Sequence, residues 1–285
     1  MRIVQISDTH LNHRGGVTNK NFEILAAFIN DVLRPDVVVH TGDVVVLSPD
    51  SGEDRETARQ LHERFTAPVH IVPGNHDVGE PGATPWAGIS VTSERVAGFR
   101  GTFGADRWVQ LYDDWALIGI NSEVMSSGLP EEAEQWEWLA TLPALVGDRT
   151  AILFMHKPAW APFDPAGQQA ITLPGAERDR LLQVLEPVTV GAVCSGHLHC
   201  YQAGRVGGML TVSAPSAGFV HVGEGGTGSF TGLHQVGVVE LVCADGKVRP
   251  YFRSVPGVIE AEVYREPEFA AAWEEAGAGP LPGGR

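Results

Sequence analysis

Short apolar runs alternate along most of the chain with stretches in which apolar residues recur at helical spacing. The run at 3–6 has the length of a buried strand, and the apolar positions between 22 and 33 repeat as on one face of a helix, which we expect Thr18 or Asn19 to cap. The same reasoning predicts strands at 37–40, 69–72, 117–120, 151–155 and 190–194, and helices at 53–65, 131–142 and 177–185. Repeated β and α elements of this kind predict a layered α/β core.

After residue 199 the pattern changes to short strands separated by glycines. Strands at 209–212, 236–242 and 248–252 are predicted to extend the sheets in antiparallel fashion, without a second domain. We therefore expect a single domain over 1–265. The remaining residues, 266–285, are expected to form a C-terminal helix at 266–275 and a disordered tail rich in glycine and proline.

Composition and charge narrow the class of protein. The 285 residues carry a net charge of −15, a field that repels phosphate backbones and anionic lipids, so we expect neither nucleic acid nor a membrane as partner. The chain starts without the apolar segment of a secretory signal and has no apolar run of transmembrane length. Three cysteines, an odd number, suit free thiols in a reducing compartment, so we expect a cytoplasmic protein. Nothing in the composition indicates its oligomeric state.

Side chains able to bind metals concentrate in five short segments, each directly after a predicted strand. The segments are Asp8-Thr9-His10, Gly42-Asp43, Gly74-Asn75-His76-Asp77, Met155-His156 and Gly196-His197-Leu198-His199. Ligands of open α/β sheets bind outside the carboxyl ends of the strands, so these segments are expected to converge on one rim. In extended backbone, residues two apart point to the same side, which allows the first and last segments to offer two ligands each.

The ligand types indicate a catalytic rather than a structural metal site. Imidazole and carboxylate groups suit Mn, Fe or Zn, and the chain lacks the thiolate pair of a structural zinc site. Seven candidate ligands are too many for one open catalytic ion but suit two ions about 3.5–4 Å apart with a bridging carboxylate, for which Asp43 is the natural choice. The seven are Asp8, His10, Asp43, Asn75, His156, His197 and His199.

These segments resemble the motif series of the calcineurin-like metallophosphoesterases, D-x-H, G-D, G-N-H-[DE], H and G-H-x-H, over roughly residues 1–255. The resemblance implies a four-layer α/β/β/α sandwich, with 1–265 as its catalytic domain. Asn121-Ser122 and Ala214-Pro215-Ser216 are also similar to bacterial members that act as phosphodiesterases on cyclic nucleotides or glycerophosphodiesters.

The resemblance also implies roles for the individual residues. One ion would bind Asp8, His10, Asp43 and His199, the other Asp43, Asn75, His156 and His197, and His76 would act on the substrate beside them. Asp77 is expected to orient its neighbours.

Charge and metal chemistry indicate the reaction that such a site would catalyse. Two divalent or mixed-valence ions would carry a total charge of about +4. Two aspartates contribute about −2 and a bridging hydroxide about −1, so a phosphodiester monoanion would neutralise the remaining charge of the site. The ions lower the pKa of bound water towards about 7 and so supply hydroxide as the nucleophile, while His76 assists the leaving oxygen. The sequence therefore predicts a two-metal-dependent phosphoric ester hydrolase, most directly a phosphodiesterase on small substrates.

Several alternatives remain open from the sequence. The same dinuclear site could serve a phosphomonoesterase, and less favoured readings are a nuclease or a non-catalytic scaffold of the same fold. Specificity is expected to lie in two long irregular stretches, 78–114 and 158–174. Where many members carry His-His-Pro or His-Tyr-Pro, this chain has His156-Lys157-Pro158, so Lys157 could bind a phosphate oxygen or be a solvated lysine.

Overall fold

The structure is a computed structural model that describes residues 1–82, 88–160, 171–222, 231–262 and 265–275. These residues form two β-sheets. The first sheet has the order β11-β10-β1-β2-β3, from β1 (Arg2–Ile6), β2 (Val37–Thr41), β3 (Val69–Val72), β10 (Gly237–Ala244) and β11 (Lys247–Ser254). The second has the order β4-β5-β6-β7-β9-β8, from β4 (Trp108–Leu111), β5 (Trp115–Gly119), β6 (Thr150–Phe154), β7 (Val190–Ser195), β8 (Gln202–Val206) and β9 (Met209–Ser213).

Helices connect the strands and cover the outer faces of both sheets. They are α1 (Val17–Phe28), α2 (Gly52–His62), α3 (Asn75–Val78), α4 (Ser93–Phe103), α5 (Pro130–Val146), α6 (Gly175–Val184) and α7 (Pro267–Glu275). A π-helical turn at Ile29–Leu33 continues α1. Among the described residues, every helix is too short or too polar to traverse a lipid bilayer.

Three apolar clusters divide the molecule into four layers, because side chains alternate between the two faces of each strand. The first cluster joins the outer face of the first sheet to α1, α2 and α4 through Val4, Val38, Phe22, Ala58 and Phe99. The second lies between the sheets and includes Ile3, Val37, Val39, Leu117, Ile152 and Phe154. The third joins the second sheet to α5 and α6 through Ile118, Leu153, Trp136, Leu139 and Leu181. The predicted α/β/β/α sandwich is confirmed.

The parallel strands explain why the five motif segments meet. Strands β1, β2 and β3 run parallel in the first sheet, and β5, β6 and β7 run parallel in the second. Each of the five segments begins at or just after the carboxyl end of β1, β2, β3, β6 or β7. Residues far apart in sequence are therefore delivered to one rim of the two sheets.

The predicted cap of the first helix is wrong. Helix α1 begins at Val17 after Gly16, earlier than expected, and no side chain of its own end caps it. The Val17 N–H donates instead to Glu268 Oε1 of α7, at 2.7 Å. The side chain of Asn19 is used elsewhere, since its Nδ2 donates to the Asn12 carbonyl oxygen at 2.8 Å.

The predicted antiparallel extension is right for β10 and β11 but wrong for 209–212. Strand β10 pairs antiparallel with β1 and β11, whereas β9 pairs parallel with β7. The reason is β8, a polar strand that the sequence pattern did not reveal, which pairs antiparallel with β9 and reverses the chain at Gly207-Gly208.

The stretches predicted as irregular or disordered are only partly described. Within 78–114 the chain forms α4, capped by the Thr92 side chain, and β4. Residues 83–87 and 161–170 of the two predicted loops, and the predicted tail 276–285, lie outside the described residues. The predicted C-terminal helix corresponds to α7.

Candidate metal centre

The backbone at the rim is held in an unusual conformation at most of the predicted ligands. Among the described residues, eight other than glycine have positive φ, and five of these eight are predicted metal ligands. They are Asp8 (φ 53°), His10 (48°), Asp43 (54°), His197 (69°) and His199 (52°). The left-handed region costs an L-residue roughly 1–2 kcal/mol and persists only where the surroundings impose it, so strain is concentrated on the groups that carry the chemistry.

Hydrogen bonds between the rim loops impose this conformation. The Asp8 N–H donates to the Gly42 carbonyl at 2.9 Å, and the His10 N–H donates to the Asp43 carbonyl at 3.1 Å. The His197 N–H donates to the Asp8 carboxylate at 3.1–3.2 Å, which ties the first sheet's rim to the second's.

A first group of potential ligands comprises Asp8, His10, Asp43 and His199, with one donor atom of each within 4.8 Å of the others. His199 Nε2 lies 3.1 Å from Asp8 Oδ1 and 3.3 Å from His10 Nε2. The first three residues are fully buried or nearly so, and the side chain of His199 is 10% exposed. This group coincides with the ligand set that the family resemblance implies for one ion.

A second group comprises Asp43, His156 and His197, again with donor atoms within 4.8 Å of one another. His156 Nε2 lies 3.3 Å from Asp43 Oδ2 and 3.1 Å from His197 Nδ1. Asn75 Oδ1 is 3.0 Å from the same His156 nitrogen, which adds a fourth potential ligand. Asp43 belongs to both groups, the position expected of a bridging carboxylate.

Backbone carbonyls fix the tautomers of three imidazoles. The Nδ1 atoms of His10 and His76 lie 3.2 Å and 2.9 Å from the Val46 carbonyl oxygen, and His156 Nδ1 lies 2.8 Å from the Thr41 carbonyl oxygen. A carbonyl only accepts, so each Nδ1–H must donate, and in the neutral ring Nε2 then carries a lone pair. In all three rings Nε2 is the atom that faces Asp43, at 4.0, 3.8 and 3.3 Å.

Burial and the close packing of charges shift the pKa values of these groups in opposite directions. Burial acts to raise the pKa of Asp43, but the imidazoles of His156 and His76 hold it well below its usual range. Burial acts to lower the pKa of His156, yet the carboxylate of Asp43 raises it to about 10. Burial and neighbouring imidazoles hold the pKa values of His10 and His197 well below the ordinary value.

The donor set fits divalent cations. With its Nδ1–H directed at Thr41, neutral His156 presents a lone pair to Asn75 Oδ1 at 3.0 Å and to Asp43 Oδ2 at 3.3 Å, so acceptors face acceptors. Buried acceptors in such contact need positive charge between them, from a proton or from a metal ion. The nitrogen and oxygen donors are those that Mn, Fe and Zn accept.

His76 lies at the edge of the two groups. Its backbone N–H donates to Asp43 Oδ1 at 2.9 Å, and its ring Nε2 is 3.8 Å from Asp43 Oδ2. Its side chain is 12% exposed, against 2% for that of Asp43. The imidazole is therefore close to the site and reachable from solvent, as a group acting on a substrate must be.

Asp77 orients the rim, as the sequence predicted. Its buried carboxylate accepts hydrogen bonds from the backbone N–H groups of Val44, Val45 and Gly74, at 2.8–3.2 Å. Burial and the neighbouring Asp43 carboxylate raise the pKa of Asp77 to about 7. The side chain thus joins the loop of Asp43 to the loop of Asn75.

Lys157 is buried rather than solvated. Its Nζ lies 3.3 Å from Glu80 Oε1 and 3.4 Å from Glu123 Oε2, and its backbone N–H donates to Ser122 Oγ at 3.0 Å. The two carboxylates raise the pKa of Lys157, whereas burial acts in the opposite direction. A role in binding substrate stays a prediction, and the ammonium already has two anionic partners.

Sequence reasoning gave no role to Glu80, Glu123 or Phe219. No motif includes them, and the first two are joined to Lys157 only by the fold. Phe219 packs against two predicted ligands, with ring centroids 4.8 Å from His10 and 5.1 Å from His199. Phe219 lies in a Gly-Phe-Val sequence after the last motif, and nothing in that sequence indicates that its ring contacts two predicted ligands.

Comparisons with known proteins agree with the sandwich and the motifs. The family model described as calcineurin-like phosphoesterase matches residues 1–201. A probable glycerophosphodiester phosphodiesterase from Arcobacter nitrofigilis is 26% identical in an alignment of 174 positions that covers 55% of this chain and 57% of that protein. A probable cyclic nucleotide phosphodiesterase from Rhodococcus erythropolis is 26% identical in an alignment of 206 positions that covers 69% of this chain and 64% of that protein. The matches thus span less than two thirds of either relative.

Among solved structures, a dimetal phosphatase from Danio rerio superimposes with a TM-score of 0.57 at 12% identity, covering 91% of this chain and 97% of that one. At this identity the likeness concerns the fold alone.

Proposed function

The chain belongs to the calcineurin-like phosphoesterase family, and from that premise we propose that it is a metal-dependent hydrolase of small phosphodiesters, of the glycerophosphodiester or cyclic nucleotide type. The observation that carries the proposal is the sharing of Asp43 by two groups of potential ligands at one rim. A single ion would occupy one side of Asp43 and leave the nitrogen and oxygen donors of the other group without a metal ion. Two ions match the donor set on both sides of Asp43.

The residues that would hold the ions are those of the two groups. Asp8, His10, Asp43 and His199 would bind one ion, and Asp43, Asn75, His156 and His197 the other. When bound, such a pair of ions polarises the phosphoryl oxygens and lowers the pKa of a bound water molecule so that it ionises near neutral pH. The carbonyls of Val46 and Thr41 keep the Nε2 lone pairs of His10 and His156 directed into the site.

His76 is the proposed group that assists the leaving oxygen. Its Nδ1–H is held by the Val46 carbonyl, so Nε2 is the atom available to carry and release a proton. Its backbone N–H is bonded to Asp43, which fixes the distance between the imidazole and the site. General acid assistance of this kind typically contributes about 10²–10⁴-fold to the rate.

Two considerations favour a diester over a monoester. Both sequence relatives described above carry phosphodiesterase names. Asp8 and Asp43 also leave a limited excess of positive charge on two divalent ions, which a diester monoanion neutralises more closely than a monoester dianion.

The deciding experiment compares two substrates on one preparation. Protein stripped of metal and reconstituted with Mn is expected to hydrolyse bis-p-nitrophenyl phosphate faster than p-nitrophenyl phosphate, with no activity in excess chelator. A faster rate on the monoester would replace the diesterase by a phosphatase on the same site. Failure to hydrolyse either ester with two equivalents of Mn bound would favour the scaffold instead.

A further inference from the structure

Helix α7 packs against the metal-binding rim, although it lies beyond both the family match and the motifs. Its Phe269, Ala272 and Trp273 are each at most 6% exposed. They form one apolar cluster with Val46, Leu47 and Phe219. A helix of nine residues is too short to be stable alone in water, so α7 depends on these contacts for its structure.

Phe219 connects α7 to the ligands of the first group. The Phe269 ring meets the Phe219 ring edge to face, with centroids 6.2 Å apart. The opposite partners of Phe219 are His10 at 4.8 Å and His199 at 5.1 Å. A single aromatic side chain therefore lies between the C-terminal helix and two imidazoles of the site.

Val46 provides a second connection. Its side chain belongs to the cluster with Phe269, and its carbonyl oxygen accepts the Nδ1–H groups of both His10 and His76. Any shift of this backbone on loss of α7 would alter the direction in which the two Nε2 atoms point.

Glu268 anchors the same helix to the start of α1. Its Oε1 accepts the Val17 N–H at 2.7 Å, and Gly16 is the residue that leaves room for it, because a Cβ there would overlap the Glu268 carboxylate. From α1, Asn21 Nδ2 donates to the Gly218 carbonyl at 2.8 Å, next to Phe219. Helix α7 therefore contacts the loop that carries Phe219 in two ways, directly through Phe269 and indirectly through α1.

We propose that α7 is a positioning element of the metal centre, which holds His10 and His199 in their strained, metal-competent arrangement through Phe269 and Phe219. The inference rests on the proposed function in that these two histidines are taken to bind metal. Thermodynamic linkage then requires reciprocity: if docking of α7 favours metal binding, metal binding stabilises the docked helix by the same factor. This linkage joins the affinity for metal to the stability of the docked helix, and it does not require α7 to contact the substrate.

The first test uses the unmodified full-length chain. Amide hydrogen exchange of residues 265–275 is measured with and without saturating Mn, and metal is expected to slow exchange in α7 by about 5-fold or more. Strand β4, the edge strand of the second sheet that adjoins none of the five motif segments in the sequence, serves as an internal reference whose exchange should change little. Equal exchange in α7 with and without bound Mn would overturn the proposal.

The second test measures Mn affinity directly by calorimetry. Phe269→Ala is expected to raise the dissociation constant of Mn by about 5-fold or more, and Phe269→Leu, which refills the cluster, to restore most of it. Glu274→Ala, at an exposed position of the same helix, is the matched control and should bind Mn as the unmodified chain does. Circular dichroism confirms that each variant is folded.

The outcomes separate this inference from the proposed function. If Phe269→Ala lowers the melting temperature equally with and without Mn and binds Mn normally, α7 is only a packing element and the inference fails alone. If the unmodified chain binds no Mn, the proposed function fails, and the inference fails with it.

Discussion

The Nε2 atoms of His10 and His199 lie 3.3 Å apart, although 189 positions separate the two residues in the sequence. His10 donates its Nδ1–H to the Val46 carbonyl, so its Nε2 presents a lone pair to His199, whose own Nε2 is 3.1 Å from Asp8 Oδ1. Both residues have positive φ, which adds backbone strain to the contact. A cation bound by these donors would offset the charge of the buried Asp8 carboxylate, and its removal should destabilise the rim.

The first prediction follows from that contact. A ligand that binds only the folded chain stabilises it by about 2.7 kcal/mol per site at a free concentration of about 100 times its dissociation constant. We expect chelation to lower the melting temperature and Mn to restore it in a concentration-dependent manner, as measured by differential scanning calorimetry. In His199→Ala, Mn should raise the melting temperature much less than in the unmodified chain. In His70→Ala, whose substitution lies on β3 and outside both ligand groups, Mn should raise it as much as in the unmodified chain. If Mn does not change the melting temperature of the unmodified chain, that result would contradict a metal site at this rim.

The second prediction concerns the shared carboxylate. Asp43→Asn preserves the shape of the side chain but removes the charge that both ligand groups use, so turnover should fall by at least about a hundredfold. Elemental analysis should show less than two equivalents of metal. Asp50→Asn is the matched control, because Asp50 lies in the same connection, is exposed and pairs with Arg95 instead. Comparable losses in both variants would point to a general effect of charge.

The third prediction separates chemistry from metal binding. His76→Ala should lower kcat by about 10²–10⁴-fold while leaving the metal content unchanged, since His76 Nε2 lies 3.8 Å from Asp43 and the residue is not among the proposed ligands. Rates are measured on bis-p-nitrophenyl phosphate and metal content on the same samples. If the variant loses metal in proportion to activity, His76 serves the metal site rather than the substrate.

The fourth prediction concerns the buried ion pairs of Lys157. Removing one partner of a buried pair typically costs about 3–5 kcal/mol, and here Lys157→Met would leave Glu123, whose side chain is 0% exposed, without its cation. We expect a loss of this order in the free energy of unfolding, measured with urea. Adding Glu123→Gln should recover part of it. A rise in KM without a loss of stability would instead support the substrate-binding role that the sequence left open.

The motif residues and their location at one rim could be predicted because both depend on sequence patterns within short segments. Strand ends are visible in the sequence, and parallel strands bring them to one rim, so Asp8 and His199 were expected together. The cap of α1 could not be predicted, because Glu268 lies 251 positions from Val17. The same holds for Lys157, whose partners Glu80 and Glu123 come from two segments far apart in the sequence. Contacts between segments without a periodic signal depend on the tertiary structure alone.

The last prediction concerns a histidine outside the site. His62 is buried in α2 among the rings of Phe22, Phe65 and Phe103, and its Nδ1–H donates to the Ala58 carbonyl. Within the part of the chain that the structure describes, its Nε2 has no hydrogen-bond partner. Burial lowers the pKa of His62 from 6.5 to about 4. Between these values the unfolded chain binds a proton that the folded chain excludes, so acidification favours unfolding.

The sign and size of the effect follow from linkage. The stability that neutral His62 permits is fully present above pH 6.5 and falls by about 1.4 kcal/mol per pH unit as the pH drops towards 4. His62→Gln cannot titrate but retains a side-chain donor for the Ala58 carbonyl. In chelator, the free energy of unfolding of the unmodified chain should therefore decrease between pH 7 and pH 5 by about 2 kcal/mol more than that of the variant. Parallel pH profiles of the two proteins would show that His62 is protonated equally in the folded and unfolded chains.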